Sequence, residues 1–196
     1  EFKYTDVGLK RTGKLVRLAT LLHDVGHGPF SHATEEILPT NCAAGKKYEH
    51  EQYSAAIAEY ALRDVIEDHP INQNNYHITV NEIKGFFLEK PSSGTNLMWR
   101  ILVSSQMDAD RMDYLLRDAY HAGVSYGKYD LDRLVATITL CENLESDAYE
   151  ISVDEDGIHA VEGLLLARYM MFTQVYFHKT RTSYDYHLVE ALKEIL

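Results

Sequence analysis

Apolar positions recur at three- and four-residue steps along most of the chain. Leu15, Leu18, Leu22 and Val25 form one stripe, which predicts a helix over 12–25. Gly26, Gly28 and Pro29 end it. Ser31 reads as the N-cap of a short helix over 31–38, with His32 in its first turn. Residues 39–47 read as a loop. A second stripe, Tyr53, Ile57, Tyr60 and Ala61, predicts a helix over 49–67. The polar stretch 68–76, with Pro70 and three Asn, reads as a loop, and 81–88 as a short helix. Pro91-Ser92-Ser93-Gly94 breaks the pattern. A long helix is predicted over 98–120, a turn over 123–129 and a helical restart over 130–135. The period then falls to two: Thr137-Ile138-Thr139-Leu140 and Tyr149-Glu150-Ile151-Ser152-Val153 alternate around a turn-like 142–147, which predicts a β-hairpin. Helical periodicity returns over 160–180 and 188–196. The expected fold class is all-α, a helical bundle with a small β-hairpin near residues 136–153.

Composition sharpens this picture. With 196 residues, 45% of them hydrophobic, the chain can bury a core, and one domain over 1–196 is expected. The chain opens on Glu1 and closes inside a helical pattern, so it reads as a fragment of a longer protein. Its formal net charge of −11 repels a phosphate backbone and argues against general nucleic-acid binding. Two cysteines, Cys42 and Cys141, build no disulfide framework; a reducing, cytoplasmic compartment is the expectation. No segment approaches the roughly 20 apolar residues of a membrane span.

The chemistry concentrates in one string, Leu22-His23-Asp24-Val25-Gly26-His27-Gly28-Pro29-Phe30-Ser31-His32. Imidazole and carboxylate hold hard or borderline divalent cations, and glycines let backbone approach a ligand. A lone His-Asp pair is more often a buried ion pair; three histidines within ten positions favour a metal site. Further on, Asp108, Asp110, Asp113 and Asp118 lie in one helical pattern, with Asp110, Asp113, Tyr114 and Arg117 on one face and Met112, Leu115, Leu116 and Ala119 on the other. Alone this is a solvated acidic stripe; beside a His-Asp site it offers a further ligand. His50-Glu51 opens a helix, where Glu suits the macrodipole or serves as acid or base. Arg168 and Tyr176 are separated by about 80° on an ideal helix and could face one pocket.

Taken together, the string from Leu22 to His32, His50-Glu51, Asp110-Arg111-Met112-Asp113-Tyr114 with Asp118, and Gln174-Val175-Tyr176-Phe177-His178-Lys179 resemble the HD-domain metal-dependent phosphohydrolases. The closer likeness is to their deoxynucleoside triphosphate triphosphohydrolase branch, over residues 12–182. The resemblance implies His23, Asp24 and Asp110 as ligands of a divalent metal (Mg, Mn, Fe, Zn or Ni). It implies His50 as the catalytic histidine, with Glu35 and Glu51 as its acidic partners. His27 would approach the substrate phosphates, and His32 would protonate the leaving oxygen. Arg111, Tyr114 and Arg168 resemble triphosphate contacts, Asp118 a contact to the sugar 3′-hydroxyl, and Tyr176 a ring packed on the ribose. Arg133, His178 and Lys179 resemble contacts to a nucleotide activator. The family's metal set begins with a histidine upstream of the His-Asp pair; none precedes His23 here, so that ligand is expected before Glu1. The implied reaction converts a dNTP to deoxynucleoside and triphosphate. The implied partners are a nucleotide substrate, a nucleotide activator and, by analogy, further copies of the chain in a tetramer. A phosphohydrolase acting on a nucleoside monophosphate or other phosphoester, and a catalytically silent nucleotide-binding domain, are the alternatives.

Overall fold

The computed structural model describes residues 6–41, 45–88, 101–103, 105–143 and 148–195. The fold is helical with two small antiparallel sheets, and the chain divides into two compact units.

The first unit comprises residues 1–92 and 186–196. Helix α1 (Asp6–Leu22) begins earlier than the predicted stripe and ends sooner. Its first turns carry exposed Val7 and Leu9 rather than a buried stripe, which is why periodicity missed them. It stops at Leu22 because the chain turns: Val25 N–H donates to Leu22 O (3.3 Å) and His27 N–H to Asp24 O (3.1 Å). Helix α2 is only His32–Glu35, shorter than the predicted 31–38. Ser31 precedes it at φ 54° and makes no side-chain cap, contrary to the expected Ser N-cap. Strands β1 (Thr40–Asn41) and β2 (Lys46–Lys47) pair antiparallel within the stretch read as a loop.

The predicted helix over 49–67 breaks at Ala61–Leu62 into α3 (His50–Tyr60) and α4 (Arg63–Glu67). Its buried face is also rotated from the one expected. Ser54, Ala55 and Ala58 are buried, whereas Tyr60 is 85% exposed. Small side chains win this face because backbone approaches it closely: a Cβ on Gly26 would overlap His50 O and Ser54 N. A π-helical turn (Asn72–Tyr76) replaces the predicted loop, and Asn72 braces it by donating to Ile66 O (2.9 Å) and Ile78 O (2.8 Å). Helix α5 (Val80–Leu88) follows, close to its predicted position. Leu15 and Ala19 of α1, Ala58 of α3, Ile66 of α4, and Ile78, Val80 and Ile83 form this unit's core.

The second unit comprises residues 93–185. The break at 91–94, residues 98–100 and the hairpin turn at 144–147 lie outside the described residues. Within them, α6 (Ala109–His121) begins well after the predicted start at Met98. Asp108 caps it, accepting from Arg111 N–H (2.7 Å) and Ser105 N–H (2.8 Å); it is a helix start and not a member of the helical stripe. Met112, Leu115 and Ala119 bury the face expected of them. Asp130 caps α7 (Leu131–Thr137), accepting from Arg133 N–H (2.9 Å). The hairpin is present as β3 (Ile138–Asn143) and β4 (Ala148–Val153), in register from Ile138↔Val153 to Asn143↔Ala148. Helix α8 (Ile158–Met171) runs into a π-helical turn (Phe172–Tyr176), so the predicted single helix over 160–180 is interrupted. A new helix, α9 (Lys179–Ile195), follows. Leu115, Leu134, Leu164 and Met171 centre this unit's core. Among the described residues, no helix is long and apolar enough to cross a membrane.

Candidate functional site

In the first unit, the turn after α1 and the first turns of α2 and α3 bring seven predicted residues together. These are His23, Asp24, His27, His32, Glu35, His50 and Glu51. Gly26 makes this possible, since its missing Cβ lets the turn lie against the start of α3. Ser54 locks the contact: its hydroxyl donates to His23 O (2.5 Å) and accepts from Gly26 N–H (2.9 Å). Sequence reasoning missed Ser54. Its signal was a small polar residue among alanines on a helix whose neighbour carries glycines.

Two carboxylate oxygens organise the imidazoles. Asp24 Oδ1 lies 3.2 Å from His23 Nε2, 3.6 Å from His50 Nε2 and 3.7 Å from His27 Nε2. Glu35 Oε1 lies 2.7 Å from His50 Nδ1, 3.2 Å from His32 Nδ1 and 3.8 Å from His27 Nδ1. His27 and His50 therefore bridge the two carboxylates through opposite ring nitrogens. Their rings stack with centroids 3.8 Å apart, and the His32 ring stands edge-on to both. Phe30 (φ 68°) and Ser31 (φ 54°) occupy left-handed backbone just before His32. Neither is glycine, so this turn stores strain at the point where His32 is presented.

Protonation follows from these contacts. His23 Nδ1 donates to Thr20 O (2.7 Å), which fixes the tautomer and turns the Nε2 lone pair toward Asp24. Burial lowers the His27 pKa, the neighbouring His50 lowers it further, and Asp24 only partly opposes them. Burial pushes the Glu35 carboxyl up, yet hydrogen bonds from His50 and His32 and their charge bring it below the ordinary range. Glu51 Oε1 is 3.5 Å from His50 Nε2, while Glu51 Oε2 is buried without a hydrogen-bond partner. An orphaned carboxylate oxygen costs free energy and marks a place for a donor or a cation. The donor set of His23 Nε2 and Asp24 Oδ1, 3.2 Å apart, fits a divalent cation.

The second unit assembles the remaining predicted residues. Asp110 stands in the first turn of α6, next to Arg111. The Arg111 guanidinium donates to Gln106 Oε1 (3.0 Å), and Arg168 Nη1 donates to the same oxygen (3.5 Å). Gln106 thus draws the two cations to one point, a role that sequence reasoning missed. Arg168 also lies over the Phe172 ring, 5.4 Å from its centroid. Burial raises the Tyr114 pKa against the opposing charges of Arg168 and Arg111. Tyr176 OH donates to Asp118 Oδ2 (2.6 Å), and the Tyr114 and Tyr176 rings meet edge-on at 6.2 Å. Burial and then that hydrogen bond push the Tyr176 pKa up. The π-helical turn, rather than a continuous helix, presents Tyr176.

Other predicted positions have local partners. Asp113 pairs with Arg117 on the exposed face of α6, as a solvated stripe would. Arg133 donates to Asp156 O (3.0 Å), His178 Nδ1 accepts from Thr180 N–H (3.3 Å), and Lys179 opens α9.

The HD domain family model matches residues 6–118, and the HD associated region matches residues 129–196. The uncharacterized protein YwfO of Bacillus subtilis is 35% identical over 179 residues, 91% of this chain and 36% of that protein. The uncharacterized protein MJ1154 of Methanocaldococcus jannaschii is 37% identical over 183 residues, 93% of this chain and 34% of that protein. A deoxynucleoside triphosphate triphosphohydrolase SAMHD1 homolog of Dictyostelium discoideum is 28% identical over 190 residues, 94% of this chain and 34% of that protein. The chain spans about a third of the length of these curated relatives.

Proposed function

The chain belongs to the HD domain family, and from that premise we propose that it carries the active site of a metal-dependent hydrolase of deoxynucleoside triphosphates. The reaction adds water at the α-phosphorus, breaks its bond to the 5′-oxygen, and releases deoxynucleoside and inorganic triphosphate. When bound at His23 and Asp24, a divalent cation would supply Lewis acidity toward phosphoryl oxygen.

The chain's own residues divide the remaining work. Glu35 accepts from His50 Nδ1 and thereby leaves His50 Nε2 to handle a proton. Glu51 beside His50 Nε2 supports the charged form of the ring. His32 protonates the departing 5′-oxygen, and His27 binds phosphate. Arg111 and Arg168 offset the charge of the triphosphate, and both charges reach the Tyr114 hydroxyl. Asp118 accepts from the sugar 3′-hydroxyl, and the Tyr176 ring packs on the ribose where a 2′-hydroxyl would need room. The 28% identity to a relative named as a dNTP triphosphohydrolase supports this substrate class.

The observation that carries the reading is the pair of imidazoles bridging Asp24 and Glu35. That arrangement suits proton transfer beside a cation better than a structural ion pair. The test is incubation with each dNTP and each of Mg²⁺, Mn²⁺, Fe²⁺, Zn²⁺ and Ni²⁺, with chromatography of the products. Stoichiometric deoxynucleoside and triphosphate are expected. Release of orthophosphate or pyrophosphate instead, or no release with any pair, overturns the proposal.

A further inference from the structure

Glu35 faces three imidazoles through the nitrogens that point away from Asp24, an arrangement the hydrolytic reading does not require in full. The Nδ1 atoms of His50, His32 and His27 lie 2.7, 3.2 and 3.8 Å from Glu35 Oε1. The donor atoms of the four residues all fall within 4.8 Å of one another. A tetrahedral zinc site with ligand bonds of about 2.0–2.1 Å has donor–donor edges of roughly 3.3 Å. The observed separations straddle that value. Three imidazoles and one carboxylate are also a donor set that favours Zn²⁺ or Co²⁺ over Mg²⁺. His32 is 66% exposed, which leaves the box an entry path.

We propose that His27, His32, Glu35 and His50 form a second transition-metal site, distinct from the His-Asp site, whose occupation switches the hydrolase off. The inhibitory consequence rests on the proposed hydrolytic reading; the binding does not. Without this metal, His50 donates from Nδ1 to Glu35 and its Nε2 carries the lone pair. A cation bonded to Nδ1 displaces that proton, and neutral imidazole then bears its hydrogen on Nε2. His50 can no longer accept a proton there, and His27 and His32 are withdrawn from the phosphates in the same event. The proton that leaves Nδ1 is the one then carried on Nε2, so the ring stays neutral and no redox change is involved.

Titrating the chelator-stripped chain with Co²⁺ alone tests the site without any substrate. The intense visible absorption of tetrahedral Co²⁺ is expected in the parent chain and in Asp24→Ala, and is lost in both His32→Ala and Glu35→Gln. His32 is exposed, so its variant keeps the fold, and circular dichroism checks both. No tetrahedral band in the parent, a band that survives both substitutions, or one lost with Asp24→Ala overturns the inference. In a parallel assay, Zn²⁺ added above one equivalent to enzyme working with Mn²⁺ is expected to cut triphosphate release at least tenfold. Triphosphate release without a band defeats this inference and leaves the hydrolase standing. A band without triphosphate release under any condition defeats the hydrolase and leaves the metal box.

Discussion

Gly26 and Tyr176 set the geometry of the two clusters from opposite directions, one by lacking a side chain and one by placing a large one. A Cβ at position 26 would overlap His50 O, Ser54 N and Ser54 Oγ, all of them held by helix α3. Gly26→Ala must therefore push the turn away from α3. We expect a loss of about 1–3 kcal/mol in thermal unfolding, together with at least tenfold weaker divalent-metal binding by calorimetry. Unchanged metal affinity in this variant would mean that the turn and α3 act independently. Tyr176 differs because its hydroxyl is committed to Asp118 while its ring remains available to pack. Tyr176→Ala should raise kcat/KM for a ribonucleotide relative to its deoxy counterpart by roughly 10–200-fold, the range for filling or emptying a small volume beside a substrate. Competition between dATP and ATP reads this ratio directly, and a constant ratio argues against a steric role. At this scale the sequence was informative. The residues from His23 to His32 and His50-Glu51 announced themselves because titratable side chains are rare in apolar, glycine-bearing stretches. Ser54 and Gln106 did not, since a small hydroxyl and a surface amide gain their roles only from what the fold sets opposite them.

At the scale of elements, helix positions were legible and helix limits were not. Met112, Leu115 and Ala119 repeat at three and four, and α6 buries that face. Asp108 ends the pattern by capping, yet an aspartate inside an acidic run looks like one more member of a stripe. The two π-helical turns are revealed by their hydrogen bonds, Asn72 bracing one against Ile66 six residues back and Tyr176 tying the other to the distant Asp118. Thr79 and Glu82 set the start of α5 by a cap that the expected start at residue 81 did not use. Glu82 Oε2 accepts from Thr79 N–H (2.9 Å), and Thr79 Oγ1 accepts from Glu82 N–H (3.3 Å), a reciprocal cap at the start of α5. Arg11 Nη2 of α1 donates to both oxygens of the same carboxylate (2.7 and 2.9 Å). Burial raises the Glu82 pKa, but the Thr79 and Arg11 contacts outweigh it and leave the carboxyl below its ordinary value. A depressed carboxylate stabilises the fold above its unfolded pKa and loses that contribution as pH falls through the folded one. Glu82→Gln should therefore cost about 1 kcal/mol near pH 7, the figure reflecting a pair one-third exposed and partly screened. The gap between parent and variant should close as acid protonates Glu82. Melts from neutral to acidic pH measure the gap, and a gap that stays constant would assign the loss to shape rather than charge.

The whole molecule adds a field that neither clusters nor elements reveal. A formal charge of −11 surrounds a site proposed to take a polyanion, so long-range and short-range electrostatics oppose each other. At about 0.15 M salt the Debye length is about 8 Å, so repulsion from distant carboxylates is largely screened. The contacts of Arg111 and Arg168 with Gln106 act at hydrogen-bond distances of 3.0 and 3.5 Å, well inside that screening length, so salt weakens them less. These two dependences predict a rise in kcat/KM as KCl goes from a few millimolar to about 0.15 M, followed by a decline once the short contacts are also screened. A basic site on a basic protein would instead lose activity from the lowest salt upward, because steering and contact have the same sign. The measurement requires saturating metal, since salt also loosens cation binding by an acidic chain. Arg111→Ala separates the two contributions: it should raise KM severalfold while leaving the rising part of the salt profile intact, because that part belongs to the charge of the whole chain. A profile that falls monotonically in the parent would mean that the arginine cluster, and not the net charge, governs the approach of the substrate.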